Sequence, residues 1–459
     1  MRLDGRHIHF VGAGGIGMSA LAHMAVESNA VVSGCDLQES PITRSLAARG
    51  CRIHQGHHPE HLEGVELVVR SSAVPEREPE LQAALRRHIP VISRARMLAR
   101  LAGDHQVVAV AGAHGKTTTT WLVAKLLLEA RLDPSVMVGG MVPELGGNYR
   151  LGSGGLFVVE VDESDGSLLE FAPHYSIVTN VELDHVDRYP DLEAVQRTFR
   201  TYLRRTARDG CVILGADSGP ARDTLDAWEG HYLTYGLAED ADLRAENVRH
   251  NGRSSVFDVR RPGGRLDALK LSLPGEHNVR NALAAVALAS ALGIDDAVLR
   301  AALGHASGVG RRLEAKGRAG GVVVLDDYGH HPTEIRAALA AARGLAEGRL
   351  VGVFQPHRFT RTLHLGEQFG PCFDELDHLV LLPIYAAGEA PIEGVTSARI
   401  QKAVEQRGSV SCARLADMET ARRHVLEVLR PGDTLLTLGA GDVYRLGERI
   451  LADLKERSD

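Results

Sequence analysis

Gly112-Ala113-His114-Gly115-Lys116-Thr117-Thr118 is the part of the chain whose residue types and spacing most clearly do chemistry. It follows the apolar run 107–111, so a strand, a tight turn and a helix start are expected. The glycines let the backbone curl close to an anion. The unpaired N–H groups and dipole of a helix start favour negative charge there. Lys116 supplies a point charge for β- and γ-phosphate oxygens, and the Thr117 hydroxyl sits where a Mg²⁺ ligand belongs. Only two residues separate the glycines, where the usual phosphate loop has four. Read alone, the segment also admits a well-capped strand-to-helix connection.

Carboxylates follow. The strand-like stretch 157–161 runs through Glu160 into Asp162, Glu163 and Asp165. An acid at the end of a neighbouring strand is what a phosphate loop needs to hold Mg²⁺, although a solvated acidic turn has the same composition. His185 ends the next strand-like stretch as a metal ligand or, more commonly, a structural histidine. Asn278 opens an alanine-rich helix and could be only its N-cap. His330 and His331 are adjacent in a loop, where hydrogen bonding is commoner than metal binding.

Near the start, Gly12, Gly14, Gly15 and Gly17 follow a strand-like run at 7–11. They precede a helical run, 18–27, and a strand, 31–35, that ends in Asp36. This is GxGxxG inside a βαβ unit with an acid 19 residues after the last glycine. Its usual owner is NAD(P) or FAD, which makes an oxidoreductase a rival reading. A UDP-sugar also carries a diphosphate and a ribose, and the motif does not choose between them.

The elements that position these residues divide the chain in three. At 459 residues it has room for about three domains. Polar joints place them at 1–103, 104–306 and 307–459. Residues 208–273 read as β-rich, with turn signals at Asp209-Gly210, Asn251-Gly252 and Gly263-Gly264. The third unit shows four strand-to-loop steps with polar residues at the strand ends, a doubly wound α/β pattern. A net charge of −7 without a basic tract argues against nucleic acid as a partner. Five scattered cysteines, never in a CxxC pair, argue for a reducing compartment. No apolar run approaches the ~20 residues of a membrane span. A cytoplasmic protein is expected, with no membrane partner.

In order along the chain stand GAGGIGMS, AGAHGKTTTT, VEVDESDGS, TNVELDHVDRY, GEHNVRNALAA, GVGRRLE, DDYGHHPTE, QPHRFTRT, YAAGE and GAGD. The combination resembles the Mur ligase family over nearly the whole chain. The short GxxGKTT loop, VExDESDGS and DDYGHHPTE are together hard to meet by chance. The resemblance implies three α/β domains: a Rossmann-like N-terminal domain, a central P-loop ATPase-like domain and a doubly wound Rossmann-like C-terminal domain. It implies ATP-dependent joining of L-alanine to the carboxylate of UDP-N-acetylmuramate through an acyl phosphate, in peptidoglycan synthesis, with ATP and Mg²⁺ as cofactors. The UDP-sugar would lie on Gly12, Gly14, Gly15 and Gly17, near Asp36, Ser71 and Ser72. ATP would lie on Gly112, Ala113, His114, Gly115, Lys116, Thr117 and Thr118, with Asn278, Asn281, Arg312 and Asp327 about the nucleotide. Thr117 and Glu160 would hold one Mg²⁺ and His185 a second. Tyr328, His330, Arg358 and Arg361 would face the alanine, with an arginine on its carboxylate. Lys116, Glu160, His185 and His330 would be catalytic, and the chain would be a monomer or weak homodimer. The family loop usually has Thr where Ala113 stands, and Pro383 and Ile384 replace a common acid and valine. Other members use a carbamylated lysine for the second metal. No lysine occurs here between Lys125 and Lys270, which fits the alanine-adding branch. A recycling ligase that adds a tripeptide to the same sugar nucleotide is the nearest alternative.

Overall fold

Runs of valine, isoleucine and leucine bounded by glycine and polar turns form strands throughout. The computed structural model describes residues 3–186 and 188–457. Asp187, inside TNVELDHVDRY, lies outside the described residues.

The first sheet comprises β1 (His7–Val11), β2 (Val31–Asp36), β3 (Arg52–Gln55), β4 (Leu67–Arg70) and β5 (Val91–Ser93). All are parallel, in the order β3-β2-β1-β4-β5. The order reverses at β1, so the glycine turn after β1 sits at the topological switch point, where such sheets bind ligands. The helix after it starts at Ile16, ahead of the expected 18, and runs to Glu27.

The second sheet has ten strands: β6 (Gln106–Ala111), β7 (Ser135–Val142), β8 (Gly147–Arg150), β9 (Leu156–Glu160), β10 (Tyr175–Val178), β11 (Cys211–Gly215), β12 (His231–Gly236), β13 (Leu243–Asn251), β14 (Ser254–Arg261) and β15 (Gly264–Leu271). Their order is β15-β14-β13-β12-β11-β10-β6-β9-β7-β8. β6 lies between β10 and β9, so the loop leaving it is flanked by the loops that follow both neighbours. The β-rich stretch ends in the antiparallel strands β13, β14 and β15, which turn at Asn251-Gly252 and at 262–263. The helices Lys116–Glu129 and Glu276–Leu292 pack on one face of this sheet. Leu122, Leu126 and Leu127 have no exposed surface. Burying each contributes roughly 1.5–3 kcal/mol, which fixes the helix and the loop that opens it. The other face shares one buried cluster with the first domain, joining Ile8, Phe10 and Leu21 to Ala109, Phe157 and Phe199.

The third sheet comprises β16 (Glu314–Ala319), β17 (Val322–Asp327), β18 (Leu350–Phe354), β19 (His378–Leu381), β20 (Ser411–Arg414) and β21 (Thr434–Leu438). Its order is β16-β17-β21-β18-β19-β20, parallel except for β16. Helices Pro332–Leu345 and Ala398–Arg407 cover one face; Met418–Val428 and Tyr444–Glu456 cover the other. The sequence pattern yields four of these six strands. The two it misses, β16 and β20, are edge strands whose sequences, EAKGRA and SCAR, have no apolar run.

Candidate active site

The loop after β6 owes its shape to its two glycines. Gly112 has φ +135° and Gly115 φ +79°. A methyl group at Gly112 would collide with Thr179 Oγ1, and one at Gly115 with Asn281 Oδ1. Neighbouring loops hold the turn in place. The His114 N–H donates to Asn180 Oδ1 (2.9 Å), and Asn180 Nδ2 and Thr179 Oγ1 both donate to the His114 carbonyl (3.0 and 2.6 Å). Thr119 donates to Asn281 Oδ1 at 3.3 Å, and Asn281 Nδ2 donates to Asn278 Oδ1 at 3.1 Å. Asn278 Nδ2 donates in turn to the Pro274 carbonyl at 2.7 Å. Gly275, not Asn278, caps this helix; Asn278 stands in its first turn and with Asn281 braces the loop from the side.

Lys116 donates to the carbonyls of Gly112 (2.6 Å) and Ala113 (3.2 Å), and its Nζ lies 3.1 Å from Asp162 and 3.6 Å from Glu163. Burial alone would lower the lysine's pKa. Glu163, Asp162 and Glu160 outweigh it and keep the group cationic. Thr117 donates to Glu160 Oε1 at 3.1 Å, and the Gly139 N–H donates to Oε2 at 2.8 Å. Beyond this pair, Asp162, Glu163 and His185 bring ligand atoms within 4.8 Å of one another. Glu163 Oε2 is buried without a hydrogen-bond partner. Carboxylate oxygens beside a threonine hydroxyl suit a hard cation such as Mg²⁺, and a buried carboxylate oxygen whose nearest cation is Lys116 at 3.6 Å has lone pairs to offer such an ion. Thr117, Glu160 and His185 were the expected ligands. Asp162 and Glu163 also belong to this group, and the acidic run after β9 was their signal.

His114 is an unforeseen second cation in the loop. Its Nε2 lies 3.0 Å from Glu182, and its Nδ1 3.4 Å from Glu334 of the third domain. Burial opposes the charge, but the two carboxylates push the imidazole up to about 9. The third domain also reaches the loop through Thr333, which donates to Glu182 at 2.8 Å.

Two cavities meet here. One, of about 760 Å³, is lined by Lys116, Thr117, Glu160, Asp162 and His185 from the central domain and by Tyr328, His330, His357, Arg358 and Arg361 from the third. The other, of about 610 Å³, lies behind the loop against His114, Thr118, Asn278, Asn281 and Asp327. Gly115, Arg312 and Glu334 line both. Arg312 stacks its guanidinium over Tyr328, 5.1 Å from the ring centre. Asp327 accepts from the Leu313 and Gly329 N–H groups at 2.9 and 2.7 Å, and burial raises its carboxyl to about 6.

His330 lies 5.4 Å from both Tyr328 and His357, ring to ring. Burial lowers its pKa to about 4, so it is neutral at pH 7. Its Nδ1 faces the Tyr328 carbonyl at 3.1 Å, which places the proton there and leaves Nε2 as an acceptor. His357 is the residue here that sequence reasoning passed over; it stands in QPHRFTRT just before Arg358. The two arginines differ from the expected pair. Arg361 is buried, with Nη2 2.7 Å from Asp184, so its guanidinium braces the wall. Arg358 is half-exposed at the cleft with φ +71°, a conformation uncommon for arginine, and its N–H donates to the Tyr385 carbonyl at 2.8 Å.

The first-domain glycine turn lies apart from these cavities; of its neighbourhood, Ile16 reaches the larger one. The Gly14 N–H donates to Asp36 Oδ2 at 2.8 Å, and a methyl at Gly12 would sit 2.9 Å from Ser71 Cβ. Gly12, Gly14, Asp36 and Ser71 thus form one unit, with Gly15 and Gly17 leading into the helix. Ser72 is exposed beside it. A ligand anchored on this turn must extend past Ile16 to reach Lys116.

Three α/β domains gathered round one compressed phosphate loop define the class of protein. Family models match in register with them: Mur ligase family, catalytic domain, over residues 7–106; Mur ligase middle domain over 110–289; and Mur ligase, glutamate ligase domain, over 311–441. The chain belongs to the Mur ligase family. Among its relatives, the UDP-N-acetylmuramate–L-alanine ligase of Desulfatibacillum aliphaticivorans is 46% identical over 97% of this chain and 98% of its own. That of Geobacter sp. (strain M21) is also 46% identical, over 98% and 97%. The crystal structure of the UDP-N-acetylmuramate-alanine ligase from Thermotoga maritima superposes with a TM-score of 0.80 at 29% identity, covering 98% of this chain and 99% of that one. A murein peptide ligase from Psychrobacter arcticus follows at 0.71 and 26%, covering 98% and 99%. No described helix is long and apolar enough to cross a membrane.

Proposed function

We propose that the chain uses ATP to join L-alanine to the carboxylate of UDP-N-acetylmuramate, forming an amide bond and releasing ADP and phosphate. The observation that carries this is the shared cleft. Lys116 and Thr117 of the phosphate loop face Tyr328, His330 and Arg358 of another domain across one cavity. A triphosphate and an amino acid can therefore meet there.

The chemistry follows from the need to activate a carboxylate, whose oxygen is a poor leaving group. The sugar-linked carboxylate oxygen attacks the γ-phosphorus and ADP departs, leaving an acyl phosphate. The amine nitrogen then attacks the acyl carbon, and phosphate leaves with its electron pair. The loop N–H groups and Lys116 stabilise charge on the transferring oxygens. His114, held cationic, adds a second positive group beside the loop. Thr117, Glu160, Asp162, Glu163 and His185 would hold magnesium, which supplies further charge neutralisation at the phosphates. Asn278, Asn281, Arg312 and Asp327 border the cavity in which the nucleoside would lie. Arg358 pairs with the alanine carboxylate, and neutral His330 offers Nε2 to the proton the amine sheds. The glycine turn after β1 binds the uridine diphosphate. Because Ile16 bridges turn and cleft, the sugar reaches past it toward Lys116. With ligands on three domains, domain closure aligns the reacting groups.

The test is phosphate release with ATP, Mg²⁺ and UDP-N-acetylmuramate, with and without each amino acid, and with the tripeptide as a separate arm. Alanine-dependent release with a product heavier by one alanine residue is expected. Release with the tripeptide alone would make the chain a recycling ligase. Release that ignores both would overturn the reading. Tight NADH binding without affinity for the sugar nucleotide would favour an oxidoreductase.

A further inference from the structure

A second constellation lies on the far side of the first domain's sheet, outside the chemistry described above. The β1–β2 register pairs His9 with Ser33 and Val11 with Cys35, so His9 and Cys35 project from one face. The short helical turn Pro59–Leu62 and the helix Pro79–Arg86 cover that face, bringing His61 and Glu80 to the same point. Glu80 Oε1 lies 3.0 Å from both His9 Nε2 and His61 Nδ1, and Cys35 Sγ lies 3.0 Å from Oε2. The four ligand atoms are all within 4.8 Å of one another. His9, Cys35 and Glu80 have no exposed surface, and Val11, Leu62, Val68 and Leu81 surround them.

The geometry points to a metal site: His9, Cys35, His61 and Glu80 bind one zinc-like divalent cation. A second observation supports this. His9 Nε2 is fully buried and directed into the cluster, 3.0 Å from Glu80 Oε1. Its other nitrogen, Nδ1, is 2.8 Å from Ser33 Oγ, the outer contact that orients a ligating imidazole. Two imidazoles, a thiolate and a carboxylate make a four-donor set for tetrahedral zinc. The sulfur selects a borderline-soft ion over Mg²⁺ or Ca²⁺. Binding displaces the Cys35 Sγ proton to solvent. The thiolate, the Glu80 carboxylate and the dication then sum to zero, the charge state a buried site tolerates. Cys35 also carries structure to the glycine turn, since its carbonyl accepts from the N–H groups of Gly12 and Ala13, each at 2.9 Å. The ion would therefore stiffen the anchor of that turn.

The experiment is a titration of the chelator-treated full chain with CoCl₂, in excess Mg²⁺ to fill hard oxygen sites. The expected result is one equivalent of Co²⁺ with intense tetrahedral visible bands and a near-ultraviolet sulfur-to-cobalt band, both displaced by ZnCl₂. Cys35→Ser should abolish the near-ultraviolet band. His61→Asn should weaken Co²⁺ binding at least ~10-fold with the band retained at saturation, with circular dichroism confirming that each variant is folded. His61→Asn decides the matter if Cys35→Ser does not fold. Absence of the sulfur band from the parent chain would overturn the proposal and leave a hydrogen-bonded polar cluster. So would a band that survives Cys35→Ser, which would come from another thiol such as Cys211 beside His231, or Co²⁺ affinity unchanged in His61→Asn.

Discussion

His114 ties the phosphate loop to the third domain, and replacing it by glutamine should change how stability depends on pH. In the folded chain its pKa is raised from 6.5 to about 9 by Glu182 and Glu334, against the opposing effect of burial. A raised pKa stabilises the fold fully below the unfolded value of 6.5. That stabilisation is lost as the pH climbs through about 9. A shift of this size at about 1.36 kcal/mol per unit corresponds to on the order of 3 kcal/mol. His330 and His331, lowered to about 4 when folded, take up protons near 6.5 only in the unfolded chain and so favour folding as the pH rises, which makes the difference between parent and His114→Gln the readout. Glu182 and Glu334 are held below their usual range and so are ionised throughout the window. The reporter is Trp121, fully buried in the helix that the loop opens, with Nε1 donating to the Ser307 carbonyl at 2.9 Å. The chain has two tryptophans, so Trp228→Phe isolates it. With a urea slope of about 2 kcal/mol/M, this bridge by itself should lower the Trp121 unfolding midpoint by roughly 1.5 M between pH 6 and pH 9.5. His114→Gln should remove most of that fall. A midpoint that changes with pH equally in parent and variant would refute the imidazolium bridge.

The remaining predictions concern the cleft. Lys116→Ala should lower turnover at least ~10²-fold in the phosphate-release assay, the scale for losing one preorganised charge-stabilising group. Gly115→Ala, which forces an L-residue to φ +79° against Asn281, adds about 1–3 kcal/mol of strain. It should raise the Kd for an ATP analogue about tenfold in titration calorimetry. Arg358→Ala should mainly raise the KM for alanine. Arg361→Ala should instead destabilise the chain by about 3–5 kcal/mol in urea unfolding, because it leaves the Asp184 carboxylate buried and unpaired.

What could be read from the residues alone was what is local in the chain. The glycine turns after β1 and β6 announce themselves because turn and helix start are contiguous, with Lys116 adjoining the second. Asp162 and Glu163 stood in view as an acidic run, but their convergence with His185 depends on β9 and β10 flanking β6, a matter of strand order. The distinction between Arg358 and Arg361 was not legible at all. They are three residues apart in one segment, and only packing against the central domain sets Asp184 beside one of them. His114 was hidden for the same reason, since its charge comes from carboxylates 68 and 220 residues away in sequence. Edge strands β16 and β20 escaped because an edge strand needs no apolar run to pair.

The most direct test of phosphoryl transfer from the loop to a carboxylate uses UDP-N-acetylmuramate labelled with ¹⁸O in both oxygens of that carboxylate. After turnover with ATP and alanine, mass spectrometry of the released phosphate should show one ¹⁸O atom per molecule, carried over when the acyl phosphate breaks down. Unlabelled phosphate, with the oxygen lost from the carboxylate found instead in AMP or in water, would contradict the account.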